Sequence, residues 1–236
     1  MITRLGWDSQ FFGFEIGEVL PIDLVPERLA VEALAGGYRC VYYRCAAGDG
    51  EGLRKAARAE LALVDIRVTL EAAVGNRTAG GALAPAPGIT IGLFEETDGP
   101  ALGRIAEQLS VQSRFAFDPG FGAERARQLY AEWLRVSCAG RADAILVARR
   151  AGEAVGFVAC RCFGEQARLE LVAVDQVHAG RGVGTALLAE ANTWLAARGT
   201  RLVRVATQGR NPAAINFYAS CGFRVGDVEL TFHRWF

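Results

Sequence analysis

The chain has 236 residues, 51% of them hydrophobic and 22% charged, and 26 basic against 26 acidic side chains give a formal net charge of zero. That composition describes a folded protein long enough for one large domain or two small ones and excludes a disordered chain. Balanced charge leaves no overall footprint of a nucleic-acid binder, although a local basic patch stays open.

The amino terminus, Met1-Ile-Thr-Arg-Leu-Gly-Trp-Asp8, lacks the charged-then-apolar layout of a signal peptide. No apolar run approaches the roughly 20 residues needed to cross a bilayer, so a cytoplasmic location without a membrane partner is expected. Periodicity and turn residues then predict a strand at 15–20, a helix at 26–35, a buried strand at 40–44, a helix at 52–61 and a strand at 64–71. This alternation reads as a small α/β unit over residues 1–74. Residues 75–88 are rich in glycine, alanine and proline and have no hydrophobic period, which predicts a linker.

A second unit is expected over 89–236. It opens with a strand at 90–94 and a helix capped by Asp98 that runs to about 109. A second helix at 123–138 carries Ala126, Leu129, Tyr130, Trp133, Leu134 and Ser137 at three-and-four spacing. Strands at 144–149 and 154–162 form a hairpin across Arg150-Ala-Gly-Glu153, and 168–174 is a third strand. A glycine-rich turn leads to a helix ending at 197, a strand at 202–207, a helix at 212–220 and a last strand region ending at 236. Pro212 suits a first helical turn, where its missing N–H would have had no partner. The six cysteines (Cys40, Cys45, Cys138, Cys160, Cys162 and Cys221) show no C-x-x-C spacing, so they read as buried reduced thiols and no metal site is expected.

The turn itself, Ala179-Gly180-Arg181-Gly182-Val183-Gly184-Thr185, carries the chemistry. Glycines let backbone approach an anion, and the helix that follows supplies free N–H groups and the positive end of its dipole, so a diphosphate is the expected ligand. Two common nucleotide patterns fit poorly. The strand at 202–207 closes on Thr207-Gln208, where a dinucleotide fold has an acidic residue about 20 residues on, and no Lys-Ser or Lys-Thr pair follows the glycines.

Leu171-Val-Ala-Val174 before the turn, and Asn211-Pro-Ala-Ala214-Ile-Asn-Phe-Tyr218-Ala-Ser-Cys-Gly-Phe223 after it, resemble the GCN5-related N-acetyltransferase family. That family's pyrophosphate loop reads Gln/Arg-x-x-Gly-x-Gly/Ala. Ala179 stands where the resemblance expects Gln or Arg, so side-chain help to the phosphates would come from Arg181 or Thr185. The resemblance covers 88–236 and implies an α/β (mixed α+β) fold: a central mixed, mostly antiparallel sheet flanked by helices, preceded by the smaller α/β unit. It implies acetyl-CoA as cosubstrate and an amine as acceptor. The pantetheine arm would pair with the backbone of Val172 and Val174, and the diphosphate would sit on Ala179–Thr185. Asn211 would hold the arm or cap its helix, and Tyr218 would be the general acid for the departing thiolate. Glu170, by the period of two, should share the face of Val172 and Val174 and is the candidate base.

Between the first two helices of this unit, Ser110-Val-Gln-Ser-Arg114-Phe115-Ala-Phe117-Asp118-Pro-Gly-Phe121 is too apolar for a casual loop. An arginine among aromatics suits a phosphate and a ring, so Arg114, Phe115 and Phe117 are expected at the acceptor. His178 is expected beside the phosphate turn, and His233 in the core or the acceptor wall. Ser113-Arg114-Phe115, Arg204-Val-Ala-Thr-Gln208 and Trp7-Asp8-Ser9-Gln10-Phe11-Phe12-Gly13 are similar to the dTDP-fucosamine acetyltransferases. This subgroup acetylates the 4-amino group of a dTDP-linked 4-amino-4,6-dideoxygalactose in bacterial surface-polysaccharide synthesis. The similarity adds Gln208 to the acceptor site and implies a nucleotide-linked amino sugar; a homodimer is left open. The alternatives are an acetyltransferase for a protein or another small amine, distinguished by a narrower or more acidic cleft, and a non-catalytic acyl-CoA sensor.

Overall fold

The computed structural model describes residues 1–75 and 88–236, so the expected linker lies outside the described residues except at its two ends. The first part of the chain forms β1 (Thr3–Arg4), α1 (Gly6–Phe12), β2 (Ile16–Val19), α2 (Pro26–Ala35), β3 (Cys40–Ala46), α3 (Gly50–Arg58) and β4 (Ala62–Ala73). Then come β5 (Ile89–Leu93), α4 (Gly99–Gln108), the one-turn α5 (Arg114–Phe117), α6 (Ala123–Val136), β6 (Ala144–Arg150), β7 (Glu153–Phe163) and β8 (Gln166–Val174). The chain closes with α7 (Val183–Ala196), β9 (Leu202–Gln208), α8 (Pro212–Ser220) and β10 (Arg224–Trp235).

All ten strands belong to one sheet, ordered β1-β2-β3-β10-β4-β9-β8-β7-β6-β5. Among the described residues only β2–β3 and β8–β9 pair in parallel. The carboxy-terminal strand lies between β3 and β4, so the two units read from sequence are stitched together by its ladders. Alternation along each strand then builds a core on both faces. On one face Val68, Leu70, Val158, Cys160, Val203 and Val205 pack with Leu187, Leu188 and Leu195 of α7 and Tyr218 of α8. On the other, Phe157, Ala159, Leu171 and Ala173 pack with Leu102 and Ile105 of α4 and Tyr130 and Leu134 of α6. Beside the latter, Phe12 of α1, Phe115 of α5 and Phe121 form an aromatic cluster with Tyr42 of β3.

Three local features depart from the sequence reading. Residues 6–12, to which no element was assigned, form α1 and stop at Gly13, whose φ of 80° ends the helix left-handed. Asp98 stands at the N-cap position of α4 as expected, but its side chain makes no capping bond to that helix. Its carboxylate accepts from the Glu95 N–H at 2.8 Å and from Arg149 at 2.9 Å and 2.5 Å, which ties β6 to the preceding turn. The helix expected to reach 138 ends at Val136 and runs into a wide turn over Ser137–Arg141, broken at Gly140 with φ 103°. Among the described residues no helix is long and apolar enough to cross a membrane.

Candidate active site

The parallel pair β8–β9 keeps register only from Gln166↔Leu202 to Leu169↔Val205. Beyond that point the two strands part. From Glu170 to Val174, β8 is held by β7 alone, so its backbone groups facing β9 have no ladder partner. A bulge sits at the parting: Ala159 pairs with Leu171 and Cys160 with Leu169, which leaves Glu170 as the extra residue. The bulge also switches faces. Ala167 and Leu169 belong to the α7 side before it, whereas Val172 and Val174 are the residues that pack there after it. The shared face expected for Glu170 and these valines is therefore lost. Glu170 turns to the α6 side, where Arg141 holds it at 3.2 Å and Arg161 at 3.5 Å.

At the open end of β8 the chain enters the glycine turn. Gly180 and Gly182 have φ of 71° and 80°, conformations that resist a side chain, and Gly182 is the N-cap of α7 with no side chain to bond the first-turn amides. Gly184 serves packing instead, since a Cβ there would lie 3.0 Å from the Phe217 ring of α8. On the far side of the gap, Asn211 caps α8 through a bond from the Ala214 N–H at 3.1 Å. Tyr218, two turns along α8, packs between Phe217 and Phe223 and is only 6% exposed. Burial pushes its phenol well above the ordinary value, so it stays protonated.

The parted strands open a cavity of about 450 Å³ lined by Val172, Gln208, Asn211, Tyr218, Arg114 and Asp65, among others. It merges with a second cavity of about 610 Å³ through shared walls that include Arg67, Arg114, Phe115 and Glu170. Strand register explains this larger wall. Arg67 of β4 faces Gln208, Thr69 faces Ala206 and Glu71 faces Arg204, while Arg204 faces Arg168 of β8, so every second residue of three adjacent strands lines one face. Five arginines result (Arg67, Arg114, Arg141, Arg168 and Arg204), with Asp8 and Glu170 as the acidic lining residues. Arg141 is paired with Glu170, and Arg204 with Glu71 at 3.0 Å. Arg67, Arg114 and Arg168 have no carboxylate within ion-pair distance among the described residues. The Arg114 guanidinium lies 4.8 Å from the Tyr42 ring centroid and 4.6 Å from that of Phe115, with its Nε buried and unpartnered.

Asp65 faces Thr231 across the β4–β10 ladder and is buried at the cavity wall. Its Oδ1 accepts no hydrogen bond, and the nearest guanidinium, Arg210, is 3.9 Å away. Burial raises its carboxyl above the usual range, outweighing the pull of Arg210 and Arg114.

Of the residues expected from sequence, Val172, Glu170, Tyr218, Asn211, Arg114, Phe115 and Gln208 meet at one cavity. Val174 and Ala179–Thr185 continue from its β8 wall into the opening turn of α7. Phe117 lines neither cavity; it is 59% exposed beneath the Arg210 guanidinium at 4.0 Å. His233 lines neither as well. It is 1% exposed, stacks on Tyr42 at 4.4 Å and donates from Nδ1 to Asp118 at 2.6 Å. Burial lowers its pKa to about 4, so the ring is neutral. Asp65, Arg67, Arg141 and Arg168 were not assigned to the site from sequence, and Trp133 was read only as part of an apolar helix face. Pairing of β4 with β9 and β10 brings Asp65 and Arg67 to the site, β8 brings Arg168, and α6 with the wide turn after it brings Trp133 and Arg141.

A gap between parted parallel strands that ends on a glycine turn with free amides can hold an extended arm and a diphosphate. Tyr218 and an amine-sized cavity beside that gap give the arrangement of a coenzyme-A-dependent acyltransferase. Comparison agrees. Residues 109–223 match the acetyltransferase (GNAT) family. A dTDP-fucosamine acetyltransferase of Escherichia coli is 30% identical over 99% of this chain and 97% of its own. The spore coat polysaccharide biosynthesis protein SpsD of Bacillus subtilis is 28% identical over 63% of this chain and 52% of its own. Among solved structures, a GCN5-related N-acetyltransferase from Sphaerobacter thermophilus superposes with a TM-score of 0.65 at 18% identity, covering 93% of this chain and 73% of that one. The chain belongs to the GCN5-related N-acetyltransferase family and is an acyl-CoA-dependent N-acetyltransferase.

Proposed function

We propose that the enzyme moves an acetyl group from acetyl-CoA to the 4-amino group of a dTDP-linked amino-dideoxy sugar. The observation that carries this reading is the set of three guanidiniums with no carboxylate within ion-pair distance among the described residues, Arg67, Arg114 and Arg168, in a cavity continuous with the Tyr218 cleft. Arg114 is half-buried with Arg67 and Arg168 exposed beside it, and guanidiniums that converge without a contacting carboxylate favour a bidentate anion such as a diphosphate. A lysine-bearing peptide would need an acidic cleft, and five arginines against two acidic residues make this one basic. The relative that is similar over its full length is named for a dTDP-linked amino sugar. Residues 1–74, as a unit, supply the acceptor wall through Trp7, Asp8, Asp65, Arg67 and Thr69.

Acetyl-CoA supplies the thioester; the chain supplies position and protons. The free backbone groups of Val172 and Val174 hold the arm, and the amides of Gly180–Thr185 cradle the diphosphate. Positioning of this kind accounts for roughly 7–11 kcal/mol in well-oriented reactions. Tyr218 donates to the developing thiolate. Its raised pKa is no obstacle, because the same burial raises the proton affinity of a thiolate beside it. Of the three lining carboxylates, Asp8 borders only the larger cavity, whereas Glu170 and Asp65 border the one that holds Tyr218 and are the candidates for the base. Glu170 is spent on two arginines, whereas Asp65 has a free oxygen and a raised pKa, so Asp65 takes the proton from the amine, directly or through water.

Gly182→Val forces a β-branched residue into φ 80°, a strain of about 1–2 kcal/mol that moves the turn. Roughly tenfold weaker CoA binding by calorimetry, in a protein that still melts cooperatively, is the expected result; unchanged affinity would remove the turn from the coenzyme site. The acceptor is tested by kcat/KM for dTDP-linked and free 4-amino-4,6-dideoxygalactose. Arg114→Ala should cut the preference for the conjugate by roughly ten- to a hundredfold, the worth of a charged hydrogen bond. Equal values for both sugars in the wild type rule out the nucleotide-sugar reading.

A further inference from the structure

The amino-terminal Trp7 has no part in the chemistry above, yet α1 sets it at the cavity that holds the unpaired arginines. It is 43% exposed, unusual for a tryptophan in a well-packed element. Its ring lies parallel to Phe11, with centroids 5.3 Å apart and planes within 6°. Phe11 is itself fixed, edge-on to Phe12 at 5.0 Å, and Phe12 is stacked against Phe115 of the cavity wall at 5.3 Å. A chain of three phenylalanines thus braces the indole from the core outward. No aromatic partner other than Phe11 meets Trp7 among the described residues. A large, rigid, wet π-face beside a cationic pocket has the form of a stacking platform.

We infer that Trp7 stacks the pyrimidine ring of the acceptor's nucleoside diphosphate, while Arg67, Arg114 and Arg168 take the diphosphate. The inference rests on the nucleotide-sugar reading and adds the residue that binds the ring. Stacking accepts any base, so Trp7 provides affinity for the nucleoside rather than the choice of thymine. The diphosphate then lies between the platform and the amine, which orders the acceptor from α1 inward to Tyr218.

The test uses the full chain without acetyl-CoA and measures the affinity of dTDP and of inorganic pyrophosphate by calorimetry. Trp7→Ala should weaken dTDP by roughly ten- to a hundredfold and leave pyrophosphate unchanged; Trp7→Phe should recover most of the loss. Unchanged dTDP affinity in Trp7→Ala overturns the platform, as does an equal loss for both ligands, which marks a collapsed cavity. A wild type that binds dTDP no better than pyrophosphate also overturns it while leaving the anion pocket standing. A wild type that binds neither overturns the nucleotide-sugar reading itself.

Discussion

Tyr218→Phe is expected to lower kcat by roughly a hundredfold or more, with little change in the KM for acetyl-CoA. The substitution keeps the ring that packs between Phe217 and Phe223, so α8 and its contact with α7 should survive. Only the hydroxyl is lost, and its proton matters when negative charge develops on the leaving sulfur rather than in the bound state. That distinction places the effect on kcat. Because burial holds the phenol protonated well above its usual range, the wild type should show no alkaline loss from Tyr218 within ordinary assay conditions. A variant that turns over at nearly the wild-type rate, with chemistry limiting, makes Tyr218 a packing residue.

The elements of the acetyltransferase half are legible in the sequence because each carries a local signal. Pro212 and the Asn211 cap mark α8, and the apolar face of α6 recurs at the spacing of its buried Ala126, Leu129, Tyr130 and Leu134. The glycine turn is equally local, since a left-handed Gly182 must be glycine in whatever fold surrounds it. What stays hidden is set by pairing between distant strands. Nothing near Asp65 or Arg67 announces that β4 lies between β9 and β10, and an arginine alternating with apolar residues reads as a solvated strand face. Glu170 shows the same limit on a smaller scale. The period of two is correct along β8 until one extra residue resets it, and a bulge leaves no mark in composition. His233 and Phe117 show the opposite case, functional-looking side chains that the fold directs away from the cavity, one into a buried bond with Asp118 and the other under Arg210.

Asp65→Asn separates the proposed base from its surroundings. The amide keeps the shape and size of the carboxyl but does not take up a proton, so kcat/KM should fall by roughly 10²–10⁴. The pH profile carries the sharper signature. A base must be ionised, and burial raises Asp65 above the ordinary aspartate range, so wild-type activity should decline on the acid side at a higher pH than an ordinary carboxylate would give. The Asn variant should lose that limb. Stability runs the other way. A carboxyl whose pKa is raised by folding makes the native state less stable above that raised value, and the penalty disappears as pH falls below the unfolded value. At neutral pH Asp65→Asn should therefore melt no lower than the wild type, with any gain shrinking as the solution is acidified. Activity lost together with thermal stability would point to a structural role. An acid limb that persists in the Asn variant, at unchanged Tm, would assign the base to another group and leave Asp65 as part of the acceptor wall.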